Sequence, residues 1–320
     1  MSAHLVAPAG APSERASSDD VVAERIRAGE FFWLDLFRPT GQELGLLRDV
    51  FRFHPLAVED SEHFAQRPKL EDFDDFVFLV VYGWSPDEDG LVEVHCFVSR
   101  RFLVTVHRDE APALEELRRR YERDDGRFPQ GARLLHEIID ALVDGFFPVL
   151  EQLGDRLDLI EEDMFADPKP HHLEDIFRMK RRLVRLRRVV APQRDLVGRI
   201  AGGTAELPGM TADAERYFRD VYDHLVRLNE AIDSDRELMN AAIDAYMSTA
   251  SNRLNVTMKQ LAVIATIFLP LTFVTGFFGQ NFDWMVDNVG TWQAFVILGV
   301  GLELVTVSVL LALFKVRGWF

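Results

Sequence analysis

Two long apolar segments near the C-terminus restrict the fold more strongly than any other feature of the sequence. Residues 261–278 carry no charged side chain over about 18 residues, and residues 292–314 carry only Glu303 over about 23. A helix needs about 20 predominantly apolar residues to cross the hydrocarbon core of a bilayer. The sequence therefore predicts two membrane-spanning helices, joined by a connector at residues 279–291.

The charges that flank these segments predict their orientation. Basic side chains lie outside the pair and acidic ones between its members: Arg253 and Lys259 before, Lys315 and Arg317 after, Asp283 and Asp287 in the connector. Basic residues are enriched in cytoplasmic loops. We therefore expect a multi-pass protein of the cytoplasmic membrane, with an outer connector, a basic cytoplasmic tail at 315–320 and both termini in the cytoplasm.

Residues 21–126 are predicted to form a cytoplasmic α/β domain, after a disordered, Ala/Ser/Pro-rich tail at 1–20. Short apolar runs at 31–37, 76–82, 91–98 and 102–107 are typical of strands. The Thr40-Gly-Gln-Glu43 spacing is that of a capping box, so a helix is expected from residue 44 to residue 53. Further helices are predicted at 54–60 and 111–123.

Beyond this domain the pattern is helical. Residues 127–210 predict an antiparallel helical hairpin, broken near Pro168 and Pro170, whose acidic outgoing arm faces a basic return arm. After the hinge at Pro208-Gly209 no helix breaker occurs before Pro270. The resulting helix would hold about 67 residues and extend roughly 100 Å. Residues 211–260 of it are a predicted cytoplasmic stalk, and 261–278 are the first span.

Composition excludes several functional classes. The net charge of −16 argues against a nucleic-acid partner and favours cations. The single cysteine, Cys96, excludes an internal disulfide framework and a Cys-rich zinc site. The sequence has no His-Glu-x-x-His motif and no phosphate-binding glycine loop. An enzyme is therefore not expected.

One face of the long helix carries residues at steps of three and four that continue from the stalk into the first span. This 244–276 stripe comprises Asp244, Ser248, Ser251, Asn255, Met258, Leu261, Ala265, Leu269, Thr272 and Gly276. Oxygen-bearing side chains followed by an apolar constriction suit the passage of a hydrated ion. The alternative is a solvated helix face at the cytoplasmic end. Since two helices cannot enclose a path, conduction would require a homo-oligomer.

The residues at the end of the first span resemble the CorA family of divalent-cation channels. The family's Gly-Met-Asn turn is matched by Gly279-Gln280-Asn281, with glutamine in place of methionine. Further segments resemble the family's sequences at 264–273, at 217–224, and in the first domain at 54–60 and 66–69. The resemblance implies a homopentameric funnel with a cytoplasmic α/β domain, long stalk helices and a two-span pore.

The same resemblance implies roles for residues at the outer mouth. Asn281 would hold Mg²⁺ through its water shell, which suits an ion that dehydrates reluctantly. Gln280 either faces the ion or bonds connector backbone, and it leaves Co²⁺, Ni²⁺ or Zn²⁺ open as cargo. Asp283 and Asp287 would concentrate cations near the mouth.

The family also closes when cytosolic Mg²⁺ bridges subunits, and the resemblance assigns Asp220 to one such site. Its partner is expected in the turn after the second strand, at Asp87, with Glu88 and Asp89 as substitutes.

Two further hypotheses remain open. Glu303 in the second span is either a proton-coupling group or a carboxyl bonded to Thr306, Ser308 or a neighbouring subunit. Together with Gln280 it favours a zinc transporter coupled to protons, similar to the ZntB relatives of this fold. The other alternative is a membrane-anchored sensor or scaffold through which nothing passes.

Overall fold

The computed structural model describes residues 2–6, 19–86, 90–123, 129 and 131–319. The chain divides into two compact units. One contains residues 1–164 and 169–242, and the other contains residues 165–168 and 243–320.

A six-stranded mixed sheet forms the centre of the first unit. Its strands are β1 (Ser2–Val6), β2 (Phe32–Phe37), β3 (Lys69–Phe73), β4 (Phe76–Trp84), β5 (Leu91–Val98) and β6 (Phe102–His107). The spatial order is β1-β2-β6-β5-β4-β3. The β2–β6 pair is parallel and the others are antiparallel. Strands β4, β5 and β6 are almost entirely buried, which agrees with their continuous apolar runs.

The prediction of a disordered tail at 1–20 is wrong where the structure describes it. Residues 2–6 form β1, which pairs antiparallel with β2 from Ser2 opposite Phe37 to Val6 opposite Trp33. Leu5 and Val6 are buried, so five residues suffice to bury apolar surface at this edge of the sheet. Residues 7–18 lie outside the described part of the chain. Strand β3 was also not predicted, because its sequence is polar and its side chains remain partly exposed.

The helices of this unit are α1 (Asp19–Ala28), α2 (Gly41–Asp49), α3 (Pro55–His63), α4 (Pro112–Arg123), α5 (Ala132–Asp144), α6 (Phe147–Ala166) and α7 (Pro170–Ala201). The capping box before α2 is present: Thr40 N donates to Glu43 Oε2 at 2.7 Å, and Glu43 N donates to Thr40 Oγ1 at 3.3 Å. The outgoing arm of the predicted hairpin is divided between two helices, α5 and α6. Gly145 follows α5, and Pro148 lies in the first turn of α6, where its missing N–H costs nothing.

The buried carboxyl group of Glu93 in β5 is extensively hydrogen-bonded. Glu93, which is 7% exposed, accepts from the backbone N–H groups of Ala65 (2.7 Å) and Gln66 (3.0 Å) and from the Tyr82 hydroxyl (2.9 Å). Its Oε1 lies 2.7 Å from His95 Nε2. Burial alone would raise the pKa of Glu93, but the His95 contact and these donors lower it.

One side chain of α7 completes the hydrogen bonding of β4. Gln193 is fully buried, and its Oε1 accepts from Tyr82 N at 2.6 Å while its Nε2 donates to Tyr82 O at 3.1 Å. Strand β3 pairs with β4 only as far as Val80, so the backbone of Tyr82 has no strand on that side. The amide therefore satisfies two backbone groups that would otherwise be buried without partners.

The sequence predicted that the basic arm of α7 pairs with the acidic arm of α6. Among the described residues, two basic side chains of α7 instead bind side chains of another helix. Arg187 Nε lies 2.9 Å from Asp233 Oδ1, and Lys180 donates to Asn240 Oδ1 at 2.6 Å. Both partners belong to the next helix, α8 (Ala212–Phe278). Between α6 and α7, Arg156 lies 3.8 Å from Asp175. The apolar face of α7 is buried, which directs its charged edges toward α8.

Helix α8 has 67 residues, with Pro270 inside it, as predicted from the absence of earlier breakers. In the second unit it is followed by the short helix α9 (Asp283–Val289), by α10 (Trp292–Ala294), by a π-helix (Phe295–Gly301) and by α11 (Leu302–Val316). Two helical regions, Ala212–Phe278 and Trp292–Val316, are long and apolar enough to cross a membrane. The π-helix inside the second region was not predicted.

Candidate functional site

All ten residues of the 244–276 stripe are exposed, and all belong to the uninterrupted helix α8. Steps of three and four residues on a continuous α-helix keep them on one face. Leu269 is 72% and Met258 57% exposed, so the apolar members have no cover within the chain. A row that passes from carboxylate, hydroxyl and amide oxygens to apolar side chains can line a path for a hydrated ion once copies surround a common axis.

The opposite face of α8 is partly covered. Val263, Ile267, Leu271, Val274 and Phe278 are half-exposed, and each lies about 200° around the helix from a stripe residue two positions away. The membrane end of α8 therefore has two faces of different kind. The stripe lies on the uncovered side, which also carries Ile264, Phe268, Phe273 and Phe277.

The turn after α8 depends on Gly279. A Cβ at this position would lie 3.0 Å from the carbonyl oxygen of Thr275, closer than side chains normally approach backbone. Gly279 N donates to Thr275 O at 2.9 Å, and Gln280 N donates to Phe277 O at 3.3 Å. Gly279 thus closes the last turn of α8 at a point where a side chain would be crowded, and Gln280 and Asn281 follow at the end of the helix.

Gln280 and Asn281 both line a cavity of about 510 Å³ between the end of α8, helix α9 and the start of the second span. Both side chains are exposed. Asp283 begins α9 and Asp287 lies one turn later on the same face, and both are exposed as well. Two amides thus line one cavity at an end of the pair of spans, and two exposed carboxylates lie on the helix α9 that follows them.

Glu303 contacts the first span of its own chain. Its Oε1 lies 2.9 Å from Thr275 Oγ1, whereas Thr306, one of the partners considered from the sequence, donates to Leu302 O at 2.8 Å. Thr275 lies beside the stripe, between Val274 and Gly276. No sequence signal identified Thr275, because the contact joins residues 28 positions apart.

A second polar constellation lies in the first unit, between α5 and α8. His224 Nδ1 is 3.1 Å from Asp144 Oδ1 and 3.8 Å from Asp140 Oδ1, and His224 Nε2 is 3.8 Å from Asp220 Oδ2. Ligand atoms of Asp140, Asp144 and His224 all lie within 4.8 Å of one another, a spacing suited to one metal ion. We call these four residues the carboxylate–imidazole cluster.

The electrostatics of this cluster favour a cation. Burial and the neighbouring carboxylate of Asp144 raise the pKa of Asp140, against a smaller opposing effect of His224. Asp140 Oδ1 is buried and has no hydrogen-bond donor among the residues that the structure describes. A divalent cation would supply the positive charge that the two carboxylates lack.

The sequence identified Asp220 in this region but not the other three members. Asp140 and Asp144 are four positions apart on α5, and only the packing of α5 against α8 brings them to His224. The predicted partners Asp87, Glu88 and Asp89 lie outside the described residues, so their role stays a prediction.

Two membrane-length helices, and a stripe that passes from polar to apolar side chains toward an amide-bearing turn, fit one class of protein: a membrane transporter of cations built around one long helix. Residues 28–316 match the family model described as CorA-like Mg2+ transporter protein. The chain belongs to this family, whose members are ion transporters and not enzymes.

Curated relatives agree with this membership. A "Putative metal ion transporter YfjQ" of Bacillus subtilis is 34% identical over 97% of this chain and 93% of its own length. A "Cobalt/magnesium transport protein CorA" of Thermotoga maritima is 31% identical over 85% of this chain and 78% of its own. A "Zinc transport protein ZntB" of Yersinia enterocolitica is 28% identical over 71% of this chain and 69% of its own length.

The fold is that of a full-length relative of known structure. The CorA magnesium transporter from Methanocaldococcus jannaschii superimposes with a TM-score of 0.84, covering 100% of this chain and 99% of its own, at 21% identity. The expected CorA-like fold, with an α/β domain, a long helix and two C-terminal apolar helices, is therefore confirmed.

Proposed function

We propose that the chain assembles as a homopentamer in the cytoplasmic membrane and conducts Mg²⁺, with Co²⁺ and Ni²⁺ as further cargo. Both termini are cytoplasmic and the connector is outside, as the flanking charges indicate. Family membership supports divalent-cation transport. The name of the Thermotoga maritima relative supports magnesium and cobalt.

The observation that carries the proposal is the uncovered 244–276 stripe, which runs along one helix toward Asn281. In a pentamer each stripe residue becomes a ring of five. Asp244, Ser248, Ser251 and Asn255 then solvate the ion on the cytoplasmic side, and Met258 and Leu269 form apolar constrictions that close by dewetting. A sensor or scaffold would not require such a path.

Asn281 is the proposed ion contact at the outer mouth. Five carboxamide oxygens would accept hydrogen bonds from the water shell of Mg²⁺ without replacing it, which suits this strongly hydrated ion. Asp283 and Asp287 raise the local cation concentration beside it.

Cytosolic Mg²⁺ regulates the path in this proposal by binding at Asp220 between neighbouring subunits, where Asp87, Glu88 and Asp89 are the expected partners. Within one chain, His224, Asp140 and Asp144 extend the same site. Bound Mg²⁺ offsets the repulsion of these carboxylates, and its loss lets them separate.

Proteoliposome flux tests the proposal. Purified protein should admit Mg²⁺, and Asn281→Ala should reduce the Mg²⁺ flux at least tenfold because the ring of oxygens is lost. Asn288→Ala is the matched control, since Asn288 is an amide in the same connector whose Nδ2 donates to Trp284 O at 2.9 Å. Equal loss in both variants, or no Mg²⁺ flux in the parent, would refute the assignment.

A zinc transporter coupled to protons is the second candidate. The ZntB relatives and Gln280 in place of methionine favour it. The same liposomes, given Zn²⁺ or Mg²⁺ with and without a pH gradient, separate the two. Zn²⁺ uptake that requires the gradient, without Mg²⁺ uptake, would establish the second candidate.

A further inference from the structure

The contact between Glu303 and Thr275 joins the two spans of one chain inside the apolar region. Glu303 is the only residue with an ionisable side chain in residues 261–278 and 292–314. The group that faces it is the Thr275 hydroxyl, whose Oγ1 lies 2.9 Å from Glu303 Oε1. No charged side chain on either span is available to pair with a carboxylate at this depth.

The hydrogen bonds of Thr275 determine where the proton in this contact resides. Thr275 Oγ1 also lies 2.6 Å from the carbonyl oxygen of Leu271. A hydroxyl carries one proton, so Thr275 can donate either to Leu271 O or to Glu303 Oε1, but not to both at once. Thr257, Thr272 and Thr306 each donate to the carbonyl four residues earlier, the position that Leu271 holds relative to Thr275.

If the hydroxyl proton is directed at Leu271, the 2.9 Å contact needs a second proton, and Glu303 is its source. A carboxylate there would set two oxygen acceptors against each other. It would also leave a bare charge in an apolar region, which is costly. A protonated carboxyl removes both costs, because its O–H donates to Thr275 Oγ1.

The backbone of the second span is built around this position. The π-helix Phe295–Gly301 ends one residue before Leu302, and Glu303 follows in the first turn of α11. A Cβ at Gly301 would lie 3.3 Å from the carbonyl oxygen of Val296, so a small residue suits the widened turn. π-Helical segments are rare and occur often at functional sites, and this one sets the rotation at which Glu303 meets Thr275.

We propose that Glu303 is a proton-binding site within the membrane, and that its bound proton links the second span to the helix that carries the 244–276 stripe. The ligand is a proton, delivered to Glu303 and held between its carboxyl oxygen and Thr275 Oγ1. Loss of the proton reverses the hydrogen bond, because the Thr275 hydroxyl must then donate to the carboxylate and give up the carbonyl oxygen of Leu271. The proton occupancy of Glu303 therefore controls the contact between the spans. This site exists whether the cargo is Mg²⁺ or Zn²⁺.

Infrared spectroscopy of the full-length protein in lipid tests the proton directly. At neutral pH, the spectrum of the parent minus that of Glu303→Gln should contain a carbonyl band of a protonated carboxyl. Thr275→Val removes the acceptor and should shift this band to higher frequency. Thr306→Val removes a hydroxyl of the second span that donates to Leu302 O, and it should leave the band in place. A missing band, or one that Thr275→Val leaves unmoved, would overturn the proposal.

A hydrophobic carbodiimide supplies an independent measurement. The protonated carboxyl adds across one N=C bond: the carboxyl oxygen bonds the central carbon and the proton moves to nitrogen, and rearrangement gives a stable N-acylurea without a leaving group. Mass spectrometry should locate one adduct on Glu303, absent from Glu303→Gln. Because neither readout involves flux, failure of the proposed transport function would not be mistaken for failure of this site. An unlabelled Glu303 would contradict it.

Discussion

Asp144→Asn should make the cation-free protein more stable and weaken its response to Mg²⁺. The ligand atoms of Asp140, Asp144 and His224 lie within 4.8 Å of one another. Two like unit charges at that separation repel by about 3 kcal/mol at an effective dielectric constant of 20, and by about 1 kcal/mol in bulk water. The Asp144 side chain is 55% exposed, so the gain should be about 1 kcal/mol. His224 keeps a partner, because its N–H can donate to the amide oxygen.

Thermal unfolding of the full-length protein in detergent, followed by circular dichroism, measures both effects. With a chelator, the variant should unfold at a higher temperature than the parent. Added Mg²⁺ stabilises a protein that binds it only when folded, by about 2.7 kcal/mol at a hundred times the dissociation constant. The increment should be clearly smaller in Asp144→Asn. Asp158→Asn, which removes an exposed charge from α6 outside the cluster, is the control.

The direction in which the stability of the cation-free protein changes with pH is a further test of the same reasoning. Burial and Asp144 raise the pKa of Asp140 in the folded protein above its ordinary value. The ionised form is therefore disfavoured by folding, and the cation-free protein should lose stability as the pH rises from the ordinary Asp value through the raised one. Asp144→Asn should reduce this loss. A variant less stable than the parent, or one with an unchanged Mg²⁺ increment, would refute the reasoning about the cluster.

Three further predictions concern other parts of the chain. Gly279→Ala should lower ion flux several-fold, because its Cβ would lie 3.0 Å from Thr275 O, and a flux equal to that of the parent would show that the turn tolerates a side chain. Thr40→Ala should lower the free energy of unfolding by about 1 kcal/mol through loss of the capping box, measured by denaturant titration. His107→Gln should destabilise most at low pH. Burial opposes the charge on His107, but Asp35, 3.3 Å away, raises the pKa of this imidazole. The stabilising contribution of the charged imidazole is therefore complete below the ordinary pKa of about 6.5, and it is lost as the pH rises through the raised pKa. A destabilisation that grows with pH would contradict this.

The sequence predicted the elements whose signals are long and uninterrupted. Helix α8 was predicted over its full length because no breaker occurs between Thr211 and Pro270 and because a helix in a membrane tolerates Pro270. Both spans followed from length and lack of charge. Strand β1 and the π-helix were missed for different reasons. The first is only five residues long in an Ala/Ser/Pro-rich context, and the second shares the composition of an ordinary apolar helix.

Part of the candidate site could likewise be predicted from the sequence, and part could not. The 244–276 stripe could be derived from spacing alone, since its geometry depends on one helix. The carboxylate–imidazole cluster could not, because Asp140 and His224 are 84 positions apart and meet only through the packing of α5 and α8. Thr275 was missed as the partner of Glu303 because the contact depends on the rotation of the second span. Residue spacing shows which side chains share one face of a helix, whereas contacts between two helices can be known only from the tertiary structure.

The buried amide of Gln193 fixes how α7 may dock against the sheet. A helix face of apolar side chains can slide along a sheet at modest cost, since one apolar contact replaces another. Moving α7 by one turn, about 5.4 Å, would instead leave four groups without hydrogen-bond partners: the N–H and C=O of Tyr82 and the amide oxygen and nitrogen of Gln193. Each buried unpaired group costs about 1–3 kcal/mol. Glutamate could not replace this residue, because it offers two acceptors where one donor is needed. A single side chain thus determines the position of a 32-residue helix on the sheet.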